Sequence, residues 1–244
     1  MTGGARGCGL SFAQGLAEGG ADVVVLDIME PSPEFHSISS EYKVKTWFFK
    51  ADVSSLASLE AAFTAFLKET NRSLDICVAC AGTNRNVAFI DTDEAAFEKL
   101  NQVNVKGVFF TAQLAAKAMI SNKTTCGSII MVASIAAFRA VQGQMSSAYC
   151  GTKGAVKSMV PPIAVELAQY NIRVNSVSPG YVRTEMTGMQ IQYMRRFKNC
   201  TDGSQRLSLI SWIVGRAKSC LIAWLSRTTF EVPASSLPRT RAGT

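Results

Sequence analysis

The stretch SSAYCGTKGAV sets Tyr149 four residues ahead of Lys153. On a helix, positions i and i+4 share a face, so the lysine ammonium can stand beside the phenol. A free tyrosine titrates near pH 10 and is a poor base at neutral pH, but a nearby cation stabilises phenolate and lowers that value. Such a pair can move a proton to or from a substrate hydroxyl. Tyr–Lys pairs at this spacing are also ordinary helix neighbours, so the pair alone does not make a site.

A second chemical feature lies at the start of the chain. TGGARGCGLSFAQGLAEGGADVVVLD carries Gly3, Gly7 and Gly9, then an amphipathic helix, then an apolar strand ending at Asp27. Glycines let backbone approach a pyrophosphate, and a helix N-terminus offers free N–H groups and a positive dipole end. Arg6 and Cys8 lie within this turn. Asp27 follows Gly9 by 18 residues, where a carboxylate can bind both ribose hydroxyls of an adenosine. It would repel a 2′-phosphate, so NAD is expected over NADP, although the Arg6 guanidinium could pair with that phosphate.

These features need a scaffold, and the pattern supplies one. Short β-rich runs at 21–27, 44–52, 74–82, 127–134 and 172–180 alternate with helical stretches at about 10–18, 55–69, 93–120 and 147–169. The alternation predicts an α/β fold: a doubly wound parallel sheet of Rossmann type, in three layers, with helices on both faces. The Pro- and Ser-rich segment 31–41 reads as a loop holding the only histidine, His36, as a solvated residue. Only Met1 precedes the glycine turn where a buried strand is expected. A sheet lacking that strand would expose the edges of two neighbours, so the fold is expected to be incomplete at its start. Pro161 and Pro162 should kink the helix after Lys153.

The ordered motifs resemble those of the short-chain dehydrogenase/reductase family. They are the T-G-x-x-x-G-x-G turn (Thr2 to Gly9), ADV (51–53), CAG (80–82), NVKG (104–107), the strand-end serine Ser134 in VAS, Tyr149-x-x-x-Lys153, and PGYVRT (179–184). The resemblance spans residues 2–184, and the wording around Tyr149 and Pro179 is most similar to polyol and ketose members of arabinitol and sorbose type. It implies catalysis by Asn104, Ser134, Tyr149 and Lys153. It also implies that Gly3, Arg6, Gly7, Cys8, Gly9, Asp27, Asp52, Val53, Ala81, Gly82, Tyr149, Lys153, Val182 and Thr184 hold the cofactor. In that reading Ser134 steadies the substrate oxygen and Asn104 holds a water linking Lys153 to solvent. Taken singly, Ser134 is equally a turn serine and Asn104 a helix cap. The implied activity interconverts a secondary alcohol and a ketone. A 3-ketoacyl thioester reductase is the nearest alternative, and a non-catalytic truncated product is another. Cys80 replaces the family's usual Asn, and the Ser134–Tyr149 spacing is two longer than the common one.

Composition narrows the partners. The net charge of +7 belongs to the end of the chain: residues 1–189 carry 16 basic and 16 acidic side chains, and residues 190–244 carry nine and two. A charge confined to one segment argues against a nucleic-acid partner for residues 1–189. Seven cysteines without framework spacing suggest reduced thiols in the cytoplasm. Cys77 and Cys80, three apart on a strand, should face opposite ways, and no metal site is expected. The run LSLISWIVGRAKSCLIAWLS is interrupted by Arg216 and Lys218 and falls short of the roughly 18 apolar residues of a membrane span. The expected division is a dinucleotide-binding and catalytic domain at 1–189 and a non-matching tail at 190–244, without the family's last strand. Codon junctions from Thr228 to Thr244 can spell DFRGASVFLASDASGY in another frame, so the tail reads as frame-shifted or intron-derived. Intact relatives imply a homodimer or homotetramer.

Overall fold

Each β-rich run forms a strand, trimmed at its ends, in the computed structural model, which describes residues 1–140, 144–180 and 182. The strands are β1 (Val23–Asp27), β2 (Thr46–Lys50), β3 (Ile76–Ala79), β4 (Gly127–Val132) and β5 (Ile172–Val177). All pairings are parallel. Val25 stands opposite Phe48, Val78 opposite Ile130, and Ile129 opposite Val174. Strands buried on both faces are apolar throughout rather than alternating, as VVVLD and GSIIMV are.

The sheet falls into two parts, β2–β1 and β3–β4–β5. Among the described residues Thr2 joins them, by isolated bridges to Leu26 and Ala79. Residues 1 and 2 thus occupy the upper end of the position where the sequence predicts a missing strand.

Helices cover both faces. Helices α1 (Gly7–Glu18) and α2 (Pro33–Tyr42) close one core, with Ala13, Ala17, Val25, Phe35 and Ile38 inside it. On the other face α3 (Leu56–Thr70), α5 (Gly107–Ser121) and α6 (Ser147–Leu167) enclose Phe63, Phe66, Ala115, Met119, Ile129, Met131 and Val156. Helix α4 (Glu94–Asn101) starts at Asp93, whose carboxylate accepts the Ala96 N–H at 2.6 Å, an N-cap that satisfies one orphan donor.

One expectation changes. Segment 31–41 is mostly the helix α2 rather than a loop, and His36 lies on it. Pro33 opens the helix, where its missing N–H costs nothing, and Phe35 and Ile38, three apart, are both buried. Their spacing outweighs the Pro and Ser content. Helix α6 continues through Pro161 and Pro162 to Leu167, with both prolines exposed. Thr184, the boundary at 189 and the tail 190–244 lie outside the described residues, as do 141–143 within the loop before Tyr149.

Candidate active site

The implied site residues gather at the C-terminal ends of the strands, where open parallel sheets bind ligands. The glycine turn follows Thr2, Asp27 ends β1, and Asp52 and Val53 follow β2. Ala81 and Gly82 follow β3, Ser134 follows β4, and Val182 lies beyond β5. The backbone after β5 is tied to the serine turn, because Ile135 N donates to Pro179 O at 3.1 Å.

Helix α6 presents Tyr149 half-buried and Lys153 buried. Lys153 Nζ lies 5.8 Å from the Tyr149 ring centroid and donates to Val132 O at 2.8 Å, which ties the helix to the end of β4. Ser134 Oγ accepts from Ala136 N at 3.2 Å, so it both caps its 3₁₀ turn and stands within hydrogen-bonding reach of the Tyr149 phenol.

Asn104 sits in a single π-helical turn, Gln102–Lys106, between α4 and α5. Such bulges are often found at functional sites. The turn buries the side chain completely. Asn104 Oδ1 accepts Thr83 N at 2.8 Å, and Nδ2 donates to Thr83 O at 2.9 Å and to Thr152 Oγ1 at 3.1 Å. Thr152 in turn donates to Tyr149 O at 2.8 Å. The amide is a brace from the loop after β3 to the tyrosine's own backbone. Sequence reading missed Thr152 and Thr83. The hydroxyl in CGTK was the available signal for Thr152, but its partner lies 48 positions away.

Burial pushes the Tyr149 phenol up, with hydrogen bonding to Ser134 acting against the rise. Burial also pushes the Lys153 amine down to about 8. The lysine alone therefore does not make Tyr149 acidic: its ammonium is desolvated and points at a carbonyl. Burial raises Cys77 to about 11 and Cys80 to about 12, so neither is a thiolate at neutral pH.

The glycine turn fits a dinucleotide. Gly3 has φ 69° and Gly7 φ 59°, both in the left-handed region. A Cβ on Gly9 would fall 1.8 Å from Gly3 O, so α1 packs directly on the turn. Helix α1 begins at Gly7, earlier than the pattern suggests, which puts Gly7, Cys8 and Gly9 in its first turn with no acidic side chain there. Arg6 is its exposed N-cap residue. Asp27 is held by Ala5 N on Oδ2 and Met29 N on Oδ1, each at 3.0 Å. Asp52 accepts from Ser54 N and Oγ, at 2.9 and 2.7 Å, and the Ser54 contact lowers its pKa. Val53 packs under Gly107, where an added Cβ would lie 2.9 Å from it. Ala81 N donates to Thr2 Oγ1 at 3.4 Å, and a Cβ on Gly82 would meet Asn104 Oδ1 at 3.3 Å and Lys153 Nζ at 3.5 Å.

Comparison with known proteins bears on the family and the fold. The family model described as short chain dehydrogenase matches residues 1–194. Sorbitol-6-phosphate 2-dehydrogenase from Klebsiella pneumoniae is 34% identical over 199 residues, 78% of this chain and 70% of that protein. The structure of a Brucella melitensis 3-oxoacyl-[acyl-carrier protein] reductase in complex with NAD superposes with a TM-score of 0.73 at 28% identity, covering 80% of this chain and 78% of that one. A Burkholderia cenocepacia gluconate 5-dehydrogenase in complex with NADP and tartrate gives 0.73 and 28%, over 88% and 78%.

Proposed function

Since the chain belongs to the short-chain dehydrogenase family, we propose that it interconverts a secondary alcohol and a ketone, of the polyol and ketose class, with Tyr149 as general acid/base. The observation that most supports this is the meeting of Tyr149, Ser134 and a buried Lys153 at the strand ends, beside a glycine turn that fits NAD or NADP. When bound, the nicotinamide supplies the hydride acceptor or donor and a positive charge near the phenol. Tyr149 Oη takes the proton of the substrate hydroxyl in oxidation and returns it to the carbonyl oxygen in reduction. Ser134 Oγ holds that oxygen and steadies its developing charge. Lys153 favours phenolate once the cleft is filled, and the Asn104–Thr152 brace fixes the height of the tyrosine in the cleft.

Asp27 at the end of β1 supports NAD over NADP, because its carboxylate is already oriented by two backbone donors and would repel a 2′-phosphate. A lower KM for NAD than for NADP bears this out; the reverse order contradicts it. The polyol reading draws support from the similarity to sorbitol-6-phosphate 2-dehydrogenase, and the thioester alternative from the 3-oxoacyl reductase. Assaying sugar alcohols with NAD against a 3-ketoacyl thioester with NADPH separates them. Activity with the thioester alone would replace the first reading by the second.

Among the described residues no helix is long and apolar enough to cross a membrane. A cytoplasmic enzyme with a small-molecule substrate is the reading we adopt, on the strength of the unpatterned cysteines. Half-exposed Phe97 on α4 and Phe109 on α5 support a homodimer or homotetramer, which light scattering tests directly.

A further inference from the structure

Tyr149, Lys153 and Lys157 follow one another by single turns along α6, and each meets the chain that leaves β4. Tyr149 reaches Ser134, Lys153 Nζ donates to Val132 O at 2.8 Å, and Lys157 Nζ stands 4.1 Å from the centre of the Phe138 ring. The first two contacts belong to the site already described. We propose that the third is a positioning contact: Lys157, through Phe138, holds the 3₁₀ turn that presents Ser134 Oγ to the Tyr149 phenol. The inference rests on the alcohol–ketone chemistry proposed above and adds to it two residues that act through Ser134.

The turn is anchored at its start and depends on Phe138 at its end. Ser134 Oγ accepts Ala136 N at 3.2 Å, and Ile135 N donates to Pro179 O at 3.1 Å. Phe138 closes the turn Ile135–Ala137 as its C-cap residue, and its N–H donates to Ile135 O at 3.0 Å. So short a 3₁₀ turn has few internal bonds and poor hydrogen-bond geometry with which to keep its own shape. The place where Phe138 is held therefore decides how Ser134 is presented. Its ring is 52% exposed, too open for apolar burial alone to fix it. The Lys157 ammonium covers one face of the ring, well inside the ~6 Å reach of a cation–π contact. Lys157 is itself exposed, so full hydration was open to it, and a cation four residues after Lys153 meets weak repulsion along the helix. The negative face of the ring offsets that repulsion. At an exposed site such a contact biases a two-position equilibrium about two- to fivefold, and that sets the size of its effect on turnover.

The test follows turnover of a sugar alcohol with NAD in Lys157→Met, Phe138→Leu, the double variant and Lys157→Arg, beside amide exchange at Ala136. Lys157→Met and Phe138→Leu should each lower kcat about two- to fivefold and leave the KM for NAD unchanged. Both should speed exchange at Ala136, whose N–H is held by Ser134 Oγ, by a similar factor. The double variant should be no slower than either single one, because the two changes remove one contact. Lys157→Arg should restore kcat and exchange, since a guanidinium also stacks on an aromatic face. An unchanged kcat or unchanged Ala136 exchange in both single variants overturns the proposal, as do losses that multiply in the double variant. If the unmodified protein turns over no alcohol or ketone, the proposed function fails, and exchange at Ala136 alone then decides the contact: faster in both single variants supports it, and unchanged overturns it.

Discussion

Asn104 uses both amide protons and its oxygen inside the protein, and that makes Thr152 the residue through which the brace reaches Tyr149. Thr152→Val keeps the shape and strands a buried N–H of Asn104, which should cost about 1–3 kcal/mol of stability. It should also lower kcat while leaving the KM for the dinucleotide unchanged. Thr152→Ser should restore both, and an unchanged kcat in the Val variant contradicts the brace. The buried amine and thiols shape the pH dependence. Lys153 titrates at about 8 in the fold against 10.5 ordinarily, so between those values the unfolded chain holds the extra proton and stability rises with pH. Cys77 and Cys80 are raised from 9 to about 11 and 12, so from pH 9 the folded chain holds more protons and stability falls. Two thiols outweigh one amine. The protein without cofactor should gain stability from pH 8 to 9 and lose it above 9, as read by denaturant titration. Replacing both cysteines by alanine should remove most of the loss above pH 9, and a profile unaffected by that replacement contradicts the assignment.

At the scale of elements, the close packing of α1 on the glycine turn is the most exposed to test. A Cβ at Gly9 would meet the backbone of Gly3 at 1.8 Å, and backbone cannot step aside as a flexible side chain can. Gly9→Ala should destabilise by about 1–3 kcal/mol and weaken dinucleotide binding at least tenfold by fluorescence titration. Near-normal affinity would show that the turn tolerates a shift. The strands were legible as short β-rich runs alternating with helical patterns and bounded by turn residues. The glycine turn and Asp27 were legible because their chemistry depends on local spacing. Helix α2 was hidden by its Ser and Pro content, although Phe35 and Ile38 carry a helical spacing. The π-helical turn at Asn104 has no local signature, because it follows from how α4 and α5 must meet around a buried amide. Thr83 and Thr152 could not be paired from the sequence, since only the closed sheet brings the two together.

Across the whole molecule, the two ends of the sheet differ in what they expose. The C-terminal ends of the strands carry the glycine turn, Asp27 and, through the Lys153 bond to Val132, the Tyr149–Lys153 helix, while the opposite end opens into a cavity lined by both apolar and charged side chains. Thr2 connects them, since it bridges β1 and β3 and its hydroxyl accepts from Ala81 beside Gly82. Residues 1–189 are neutral in sum although the chain is +7, so over that span there is no net charge with which to attract a polyanion. Substrate oxidation is then decided at one oxygen atom. The most direct measurement is nicotinamide reduction at 340 nm by Tyr149→Phe and the unmodified protein with a sugar alcohol, beside a titration of dinucleotide binding. The account predicts that the variant loses turnover by about a thousandfold or more, toward the upper part of the range for general acid–base catalysis, while binding stays within about threefold. Turnover by the variant equal to that of the unmodified protein would contradict it.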